Sequence, residues 1–174
     1  TTTGAGNVAV GSEAFKANTT GAANTGVGYR ALYSATTADN NTAFGSYALD
    51  AVTTGGTNTA IGASAGTNLT TGAANTGAGY NSLGSNTTAN NNTGFGAYTL
   101  EDNTTGTANT AVGAGALKNN TTASNNTAMG LDALMTNTTG TENTAMGVNT
   151  AYNVTTGSYN SAFGSSCLSA CTTG

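Results

Sequence analysis

Residues 109–125 read Asn-Thr-Ala-Val-Gly-Ala-Gly-Ala-Leu-Lys-Asn-Asn-Thr-Thr-Ala-Ser-Asn, and the same pattern starts again at Asn126. The opening Asn, followed by Thr, Val or Ser, then a small residue, an apolar residue and Gly, recurs without insertion or deletion. The anchor Asn returns at every seventeenth position, at Asn7, Asn24, Asn41, Asn58, Asn75, Asn92, Asn109, Asn126, Asn143 and Asn160. A fixed period of about 20 residues indicates a solenoid, in which every repeat is one coil of a stack.

The composition of the repeat favours strands over helices. Gly, Asn and Thr are poor helix formers, and a Gly stands at the fifth position of every repeat. Two strands of about five residues, joined by turns, would use up one repeat. We therefore predict a single all-β domain over residues 1–174, a parallel β-solenoid (β-roll) of ten coils about 4.8 Å apart. Residues 1–6 are the end of a preceding repeat, so we expect a segment of a longer array.

Comparison of the ten repeats separates predicted core columns from solvent columns. Position 4 is always apolar and position 9 is mostly Leu, so we predict a thin core from both, with the small residues at positions 3 and 8. Where position 9 is Gly66 or Ala151, position 12 becomes Leu69 or Val154, which indicates that positions 9 and 12 fill one volume. Positions 6, 7, 10, 16 and 17 vary and hold nearly all the charges, so they are predicted to face solvent.

Four columns never vary, and three ladders are predicted from them. The anchor asparagines should bond up and down the stack through their amides. The invariant Gly fits a turn that needs positive φ, at Gly11, Gly28, Gly45, Gly62, Gly79, Gly96, Gly113, Gly130, Gly147 and Gly164. Of the adjacent Thr at positions 13 and 14, one should face inward and one outward. The first of each pair is predicted as a Thr ladder, at Thr19, Thr36, Thr53, Thr70, Thr87, Thr104, Thr121, Thr138, Thr155 and Thr172.

The composition argues against most chemistry. The chain has no His, seven scattered carboxylates and only two Cys, so we expect no catalytic residues, no metal site and no cofactor, and we predict that it is not an enzyme. Lys16, Arg30 and Lys118 are the only basic residues, too few to track a phosphate backbone, so no nucleic-acid partner is expected. No apolar run is long enough to span a membrane.

The two cysteines occur only in the last repeat. Cys167 and Cys171 stand at positions 8 and 12, both columns that can face the core. Cys-x-x-x-Cys without His or a second pair is a weak metal motif. Two interpretations stay open: a pair of small buried thiols, or a disulfide that staples the coil or links neighbouring units in an oxidising setting.

The repeats resemble those of known surface fibres. Residues 109–122 and 24–34 are similar to the repeats of bacterial and phage tail-fibre-like proteins, and the Asn-Thr-Ala-apolar-Gly segment resembles the head repeats of trimeric autotransporter adhesins. The strict 17-residue period is closer to the tail-fibre-like arrays. The resemblance implies a left-handed roll with three chains side by side, located outside the cell, on a cell surface or on a virion.

A structural function is the main prediction. We expect a stiff fibre or filament shaft that associates with itself, either as a homotrimer around the Ala/Gly face or head to tail. The first alternative is an adhesive module for a cell-surface or glycan ligand, because seven Tyr lie mostly in surface columns. The second is an ice-binding solenoid that uses an outward Thr row. Thermal hysteresis and glycan binding would separate the alternatives from a shaft.

Overall fold

The computed structural model describes residues 3–173, and what was predicted for Thr1, Thr2 and Gly174 lies outside that range. The predicted β-solenoid is confirmed. Ten parallel strands form one sheet in chain order, and each strand residue pairs with its counterpart in the next repeat, as Thr110 pairs with Thr127 and Val112 with Met129. The coils are therefore stacked in register, so that each sequence column becomes a row along the rod.

Each coil contributes one strand of three residues, at positions 2–4 of the repeat. The strands are β1 Val8–Val10, β2 Thr25–Val27, β3 Thr42–Phe44, β4 Thr59–Ile61, β5 Thr76–Ala78, β6 Thr93–Phe95, β7 Thr110–Val112, β8 Thr127–Met129, β9 Thr144–Met146 and β10 Ser161–Phe163. The prediction of two longer strands per coil was wrong. The other residues of each coil form turns whose backbone groups bond the neighbouring coil, as Thr104 N–H donates to the Thr121 carbonyl at 2.9 Å.

The turns require positive φ at several points in each coil. Gly at position 5 ends the strand with φ between 111° and 143°. Positions 7, 9 and 17 are left-handed in every complete coil and are mostly not Gly; Leu117 and Ala108 have φ of 52° and 56°. A non-Gly residue in this region costs about 1–2 kcal/mol. The chain thus accepts local strain three times per coil in order to close so short a loop.

The core lies between the strand and the opposite turn of each coil. Position 3 points inward, as Ala111 and Ala128 show, and it meets buried residues at positions 8, 9 and 12. Leu69 and Val154 are buried where position 9 is Gly66 or Ala151, in line with the shared volume of positions 9 and 12. The small residues at positions 3 and 8 lie inside the coil and form no outer Ala/Gly face. Association of copies stays a prediction.

Position 4 was wrongly predicted to be core. Phe44 is 54% exposed, Ile61 49% and Phe95 48%, whereas Ala43 and Ala60 beside them are buried. In a strand of three residues the middle side chain points one way and its two neighbours the other. The narrow coil takes the small side chain of position 3 inside, so the large apolar side chain of position 4 faces outward.

Candidate functional site

The anchor asparagines form a buried ladder along the rod. The backbone N–H of Asn109 donates to Oδ1 of Asn92 at 3.0 Å, and its Nδ2 donates to the same oxygen at 3.1 Å and to the Ala123 carbonyl at 2.9 Å. Asn126 repeats this pattern on Asn109. Each side chain thus supplies an acceptor for the next coil and a donor for a turn carbonyl of its own coil, which explains why no other residue occupies the column.

A second amide ladder was missed by the sequence reasoning. Asn103, Asn120 and Asn137 at position 12 are fully buried. Nδ2 of Asn120 donates to Oδ1 of Asn103 at 2.8 Å and to the Ala123 carbonyl at 3.1 Å. The sequence signal was the run of Asn at position 12 in repeats that already have a large Leu at position 9. Since Val and Leu also occur there, the column was assigned to apolar packing alone.

The two Thr columns differ in their contacts: position 13 bonds the next coil and position 14 faces solvent. At position 13 the hydroxyl of each half-buried or exposed Thr donates to the backbone carbonyl of the matching Thr in the next repeat, as from Thr104 to Thr121 at 3.0 Å. Nine such bonds run from Thr19 to Thr172. Position 14 is exposed in every coil. The free Thr row is therefore at Thr20, Thr37, Thr54, Thr71, Thr88, Thr105, Thr122, Thr139, Thr156 and Thr173.

The glycine column at position 5 is required by close approach as well as by φ. A Cβ on Gly113 would lie 2.6 Å from the carbonyl carbon and oxygen of Gly130, well inside van der Waals contact. The N–H of Gly113 donates to the Phe95 carbonyl at 2.8 Å. The glycines therefore allow the coils to approach closely where each strand ends.

An apolar strip follows the outer side of the sheet. Of the fifteen large apolar side chains that are exposed, twelve lie at positions 2, 4 or 6. The strip contains Val8, Val10, Tyr29, Phe44, Ile61, Tyr80, Phe95, Met129, Leu131, Met146, Val148 and Phe163. Every charged residue belongs to positions 7, 10, 11, 16 or 17. This surface of positions 2, 4 and 6, which we call the apolar strip, is thus uncharged along the whole rod.

Most charged side chains lie at positions 7 and 10, where several Tyr also occur. Nε of Arg30 donates to Oδ1 of Asp50 at 3.0 Å, and the guanidinium lies 4.1 Å from the centre of the Tyr33 ring. Partial desolvation lowers the pKa of Arg30, but the Asp50 carboxylate more than offsets this and leaves it raised. The hydrogen bond from Lys16 lowers the pKa of Glu13. Ion pairs this close to solvent contribute little to stability.

A shallow groove of about 440 Å³ lies near the C-terminal coils. It is lined by Asp132, Asn149, Tyr152, Asn153, Ser166 and Ser169. An aromatic ring beside carboxylate, amide and hydroxyl groups can contact a sugar. No other set of neighbouring coils carries this combination of residues at positions 7, 10 and 11.

Cys167 and Cys171 are free thiols in this structure, and both are half-buried against the core. Within residues 3–173, no group of three or more His, Cys, Asp or Glu side chains could hold a metal ion. Over the same residues, no helix has the length and hydropathy to cross a bilayer.

Comparison of the chain with protein-family models, with curated proteins and with solved structures finds no match. The resemblance of the repeats to tail-fibre-like and adhesin-head repeats stays a prediction. A proposal about function therefore rests on the geometry of the rod and the chemistry of its rows.

Proposed function

We propose that the protein is a structural shaft segment of an extracellular or virion fibre. The observation that carries the proposal is the unbroken set of hydrogen-bonded rows along the rod. The anchor Asn amides, the position-13 Thr hydroxyls and the strand backbone each join every coil to the next. Such a stack resists bending at any one coil, because a bend must break several parallel rows together.

The chemistry of the surface agrees with a passive spacer. Proteases need an extended, mobile segment of chain, whereas here the backbone of every turn bonds a neighbouring coil. The chain also has no Pro and only ten charged side chains. The resemblance to tail-fibre-like repeats supports the same role on a virion or a cell surface, and it fits either lateral or end-to-end assembly of the rods.

Electron microscopy of material from the native source tests the shaft. We expect fibres labelled along their length by an antibody to the chain, with an axial repeat of about 4.8 Å. The isolated chain should resist a broad protease at a ratio that cleaves its Gly113→Val variant, because that change blocks close approach of the coils. Discrete short particles in the native material, or equal cleavage of both chains, would contradict the proposal.

Ice binding is the second candidate, and the uniform exposure of position 14 favours it. An outward Thr in every coil gives a straight row of hydroxyl and methyl groups at about 4.8 Å spacing. The row is single, because the position-13 hydroxyls are already bonded to the next coil. Because Thr70, Thr87 and Thr104 lie in the first Thr column, their substitution would not test ice binding.

Thermal hysteresis of the isolated chain separates the two candidates. A shaft should give none. An ice binder should give hysteresis that falls when Thr88, Thr105 and Thr122 are replaced by Tyr, and that persists when Thr87, Thr104 and Thr121 are replaced by Val. A glycan ligand in the groove would instead be lost from a Tyr152→Ala variant, with no effect of either Thr set.

A further inference from the structure

We infer that the apolar strip is the surface through which a second copy of this chain docks, side by side along the rod. The inference rests on the β-solenoid and the exposure of its columns, and it goes beyond the proposed role as a shaft. A monomeric rod would overturn the inference and leave the shaft proposal standing.

The extent of the apolar strip is the first argument. Positions 2–6 span about 13 Å at about 3.3 Å per residue, and ten coils span about 48 Å, which gives a footprint of roughly 600 Å². A single patch of this size lies at the upper end of what a typical monomeric soluble protein exposes. Two copies face to face would bury about 1,200 Å², the lower end of the range for a stable specific interface.

In six of the ten coils, the sizes of the side chains at positions 4 and 6 of the apolar strip balance each other. Where position 4 holds Phe or Ile, position 6 holds Ser or Ala, and where position 6 holds Tyr, position 4 holds Val or Ala. The pairs at positions 4 and 6 of one coil that follow this pattern are Phe44 with Ser46, Ile61 with Ala63, Phe95 with Ala97, Phe163 with Ser165, Val27 with Tyr29 and Ala78 with Tyr80. Water places no limit on the summed volume of two exposed side chains. A packed partner does, because close packing penalises both gaps and excess volume.

Four of the ten coils depart from this balance. Val10 with Ser12 and Val112 with Ala114 are small at both positions. Met129 with Leu131 and Met146 with Val148 are large at both positions. Both have Met at position 4, the side chain that adapts its shape most readily to an irregular contact. These adjacent coils would form the thickest part of the interface, where Met can adjust to the partner.

The identity of the partner follows from spacing and charge. An apolar row with a rung about every 4.8 Å fits best against a surface with the same spacing, and another copy of this solenoid provides one. Each chain has a net charge of −4, but its charged residues lie outside the apolar strip, so contact between copies brings no like charges together there. One self-complementary strip per chain closes as a pair with two-fold symmetry.

Sedimentation of the full chain and two double variants tests the docking surface. We expect the wild-type chain to form a two-chain species at micromolar concentration. Ile61→Lys with Phe95→Lys should give a monomer with an unchanged circular dichroism spectrum, because both side chains are exposed. Ala74→Lys with Ala108→Lys places the same charges in the same two coils, at exposed position 17, and should leave the pair intact.

Peroxide oxidation of the wild-type chain gives a second readout that needs no variant. Met129 and Met146 lie in the apolar strip and are more than a third exposed in the single chain, whereas Met135 stands at position 10. At high concentration, oxidation of Met129 and Met146 should slow several-fold relative to Met135, and dilution should remove the difference. The inference would be overturned by a monomeric wild-type chain or by a pair that still forms in the Ile61→Lys, Phe95→Lys variant. It would also be overturned if the oxidation rates of Met129 and Met146 relative to Met135 did not change with protein concentration.

Discussion

At the scale of the residue, backbone conformation explains more of this fold than side-chain packing does. Gly at position 5 is invariant because both its φ and the closeness of the next coil exclude a Cβ. Positions 7, 9 and 17 have left-handed φ too, yet they mostly hold residues other than Gly, such as Leu, Ala, Asn and Tyr. The difference is space, because at these positions the side chain can point into the core or into solvent.

Replacement of Gly113 by Ala should destabilise the rod strongly. A residue held in an unfavourable φ/ψ region costs about 1–3 kcal/mol, and the new Cβ would also lie 2.6 Å from the Gly130 carbonyl. Gly26→Ala is the matched control, since Gly26 has no positive φ, a Cβ there would lie 3.4 Å or more from its neighbours, and Ala43 and Ala60 occupy the same column. Thermal denaturation should show a large fall in melting temperature for Gly113→Ala and little change for the control. Equal melting temperatures would contradict the assignment of position 5.

Replacement of Ala108 by Gly should stabilise the chain. Ala108 is exposed with φ of 56°, and relief of a left-handed Cβ is worth about 1–2 kcal/mol, against about 0.4–1 kcal/mol of added chain entropy. We expect a net gain of about 0.5–1 kcal/mol in the free energy of unfolding. Ala114→Gly, at an exposed site without positive φ, should lose about 0.5–1 kcal/mol. In urea denaturation, the change in the free energy of unfolding should therefore be positive for Ala108→Gly and negative for Ala114→Gly. Changes of the same sign would contradict backbone strain at Ala108.

At the scale of the element, the period predicted the register and the stack, but not which face of the strand is inside. Invariant Asn and Gly identified the ladder and the turn because only those residues satisfy the contacts. Position 4 misled the reasoning, because an apolar column is equally consistent with a core and with a contact surface. The short strand and the narrow coil decide which face of the strand lies inside. Both depend on left-handed turns at residues such as Leu117, whose intrinsic conformational preference does not predict a positive φ.

The two amide ladders should differ in what their loss costs. Asn109→Val leaves the buried N–H of Asn126 without its acceptor and should cost about 2–4 kcal/mol. Asn120→Val should cost about 1–2 kcal/mol, because the Ala123 carbonyl keeps its bond from Asn109 and position 12 already accepts Val52 and Val154. Hydrogen exchange at the Asn126 amide should accelerate in the first variant and not in the second. Equal exchange in both would contradict separate roles for the ladders.

At the scale of the whole molecule, the rod is a one-dimensional array in which each coil contacts only its neighbours. Each of the strands β2 to β9 pairs with the strands one repeat before and after it, in one register. The total stability is then close to a sum of coil and interface contributions. The rows of Asn, Gly and Thr depend on one quantity, the number of residues in a coil, and this makes register the most sensitive property of the molecule.

Removal of residues 109–125 should therefore be tolerated, whereas removal of residues 109–124 should not. The first deletion takes out one complete coil and joins Ala108 to Asn126, so every row stays continuous. The second deletion, shorter by one residue, places Asn125 in the anchor column and shifts all later residues by one position. The position-4 side chain of Met129 then stands at position 5, where the close approach of the coils admits only Gly. Urea denaturation of the whole-coil deletion should be cooperative, with an m-value lower by roughly a tenth in proportion to the surface lost. The shorter deletion should lose its cooperative transition or split it into two, since the halves on either side of the break no longer share hydrogen-bonded rows. Equal melting of the two deletions would mean that the rows do not hold the coils together.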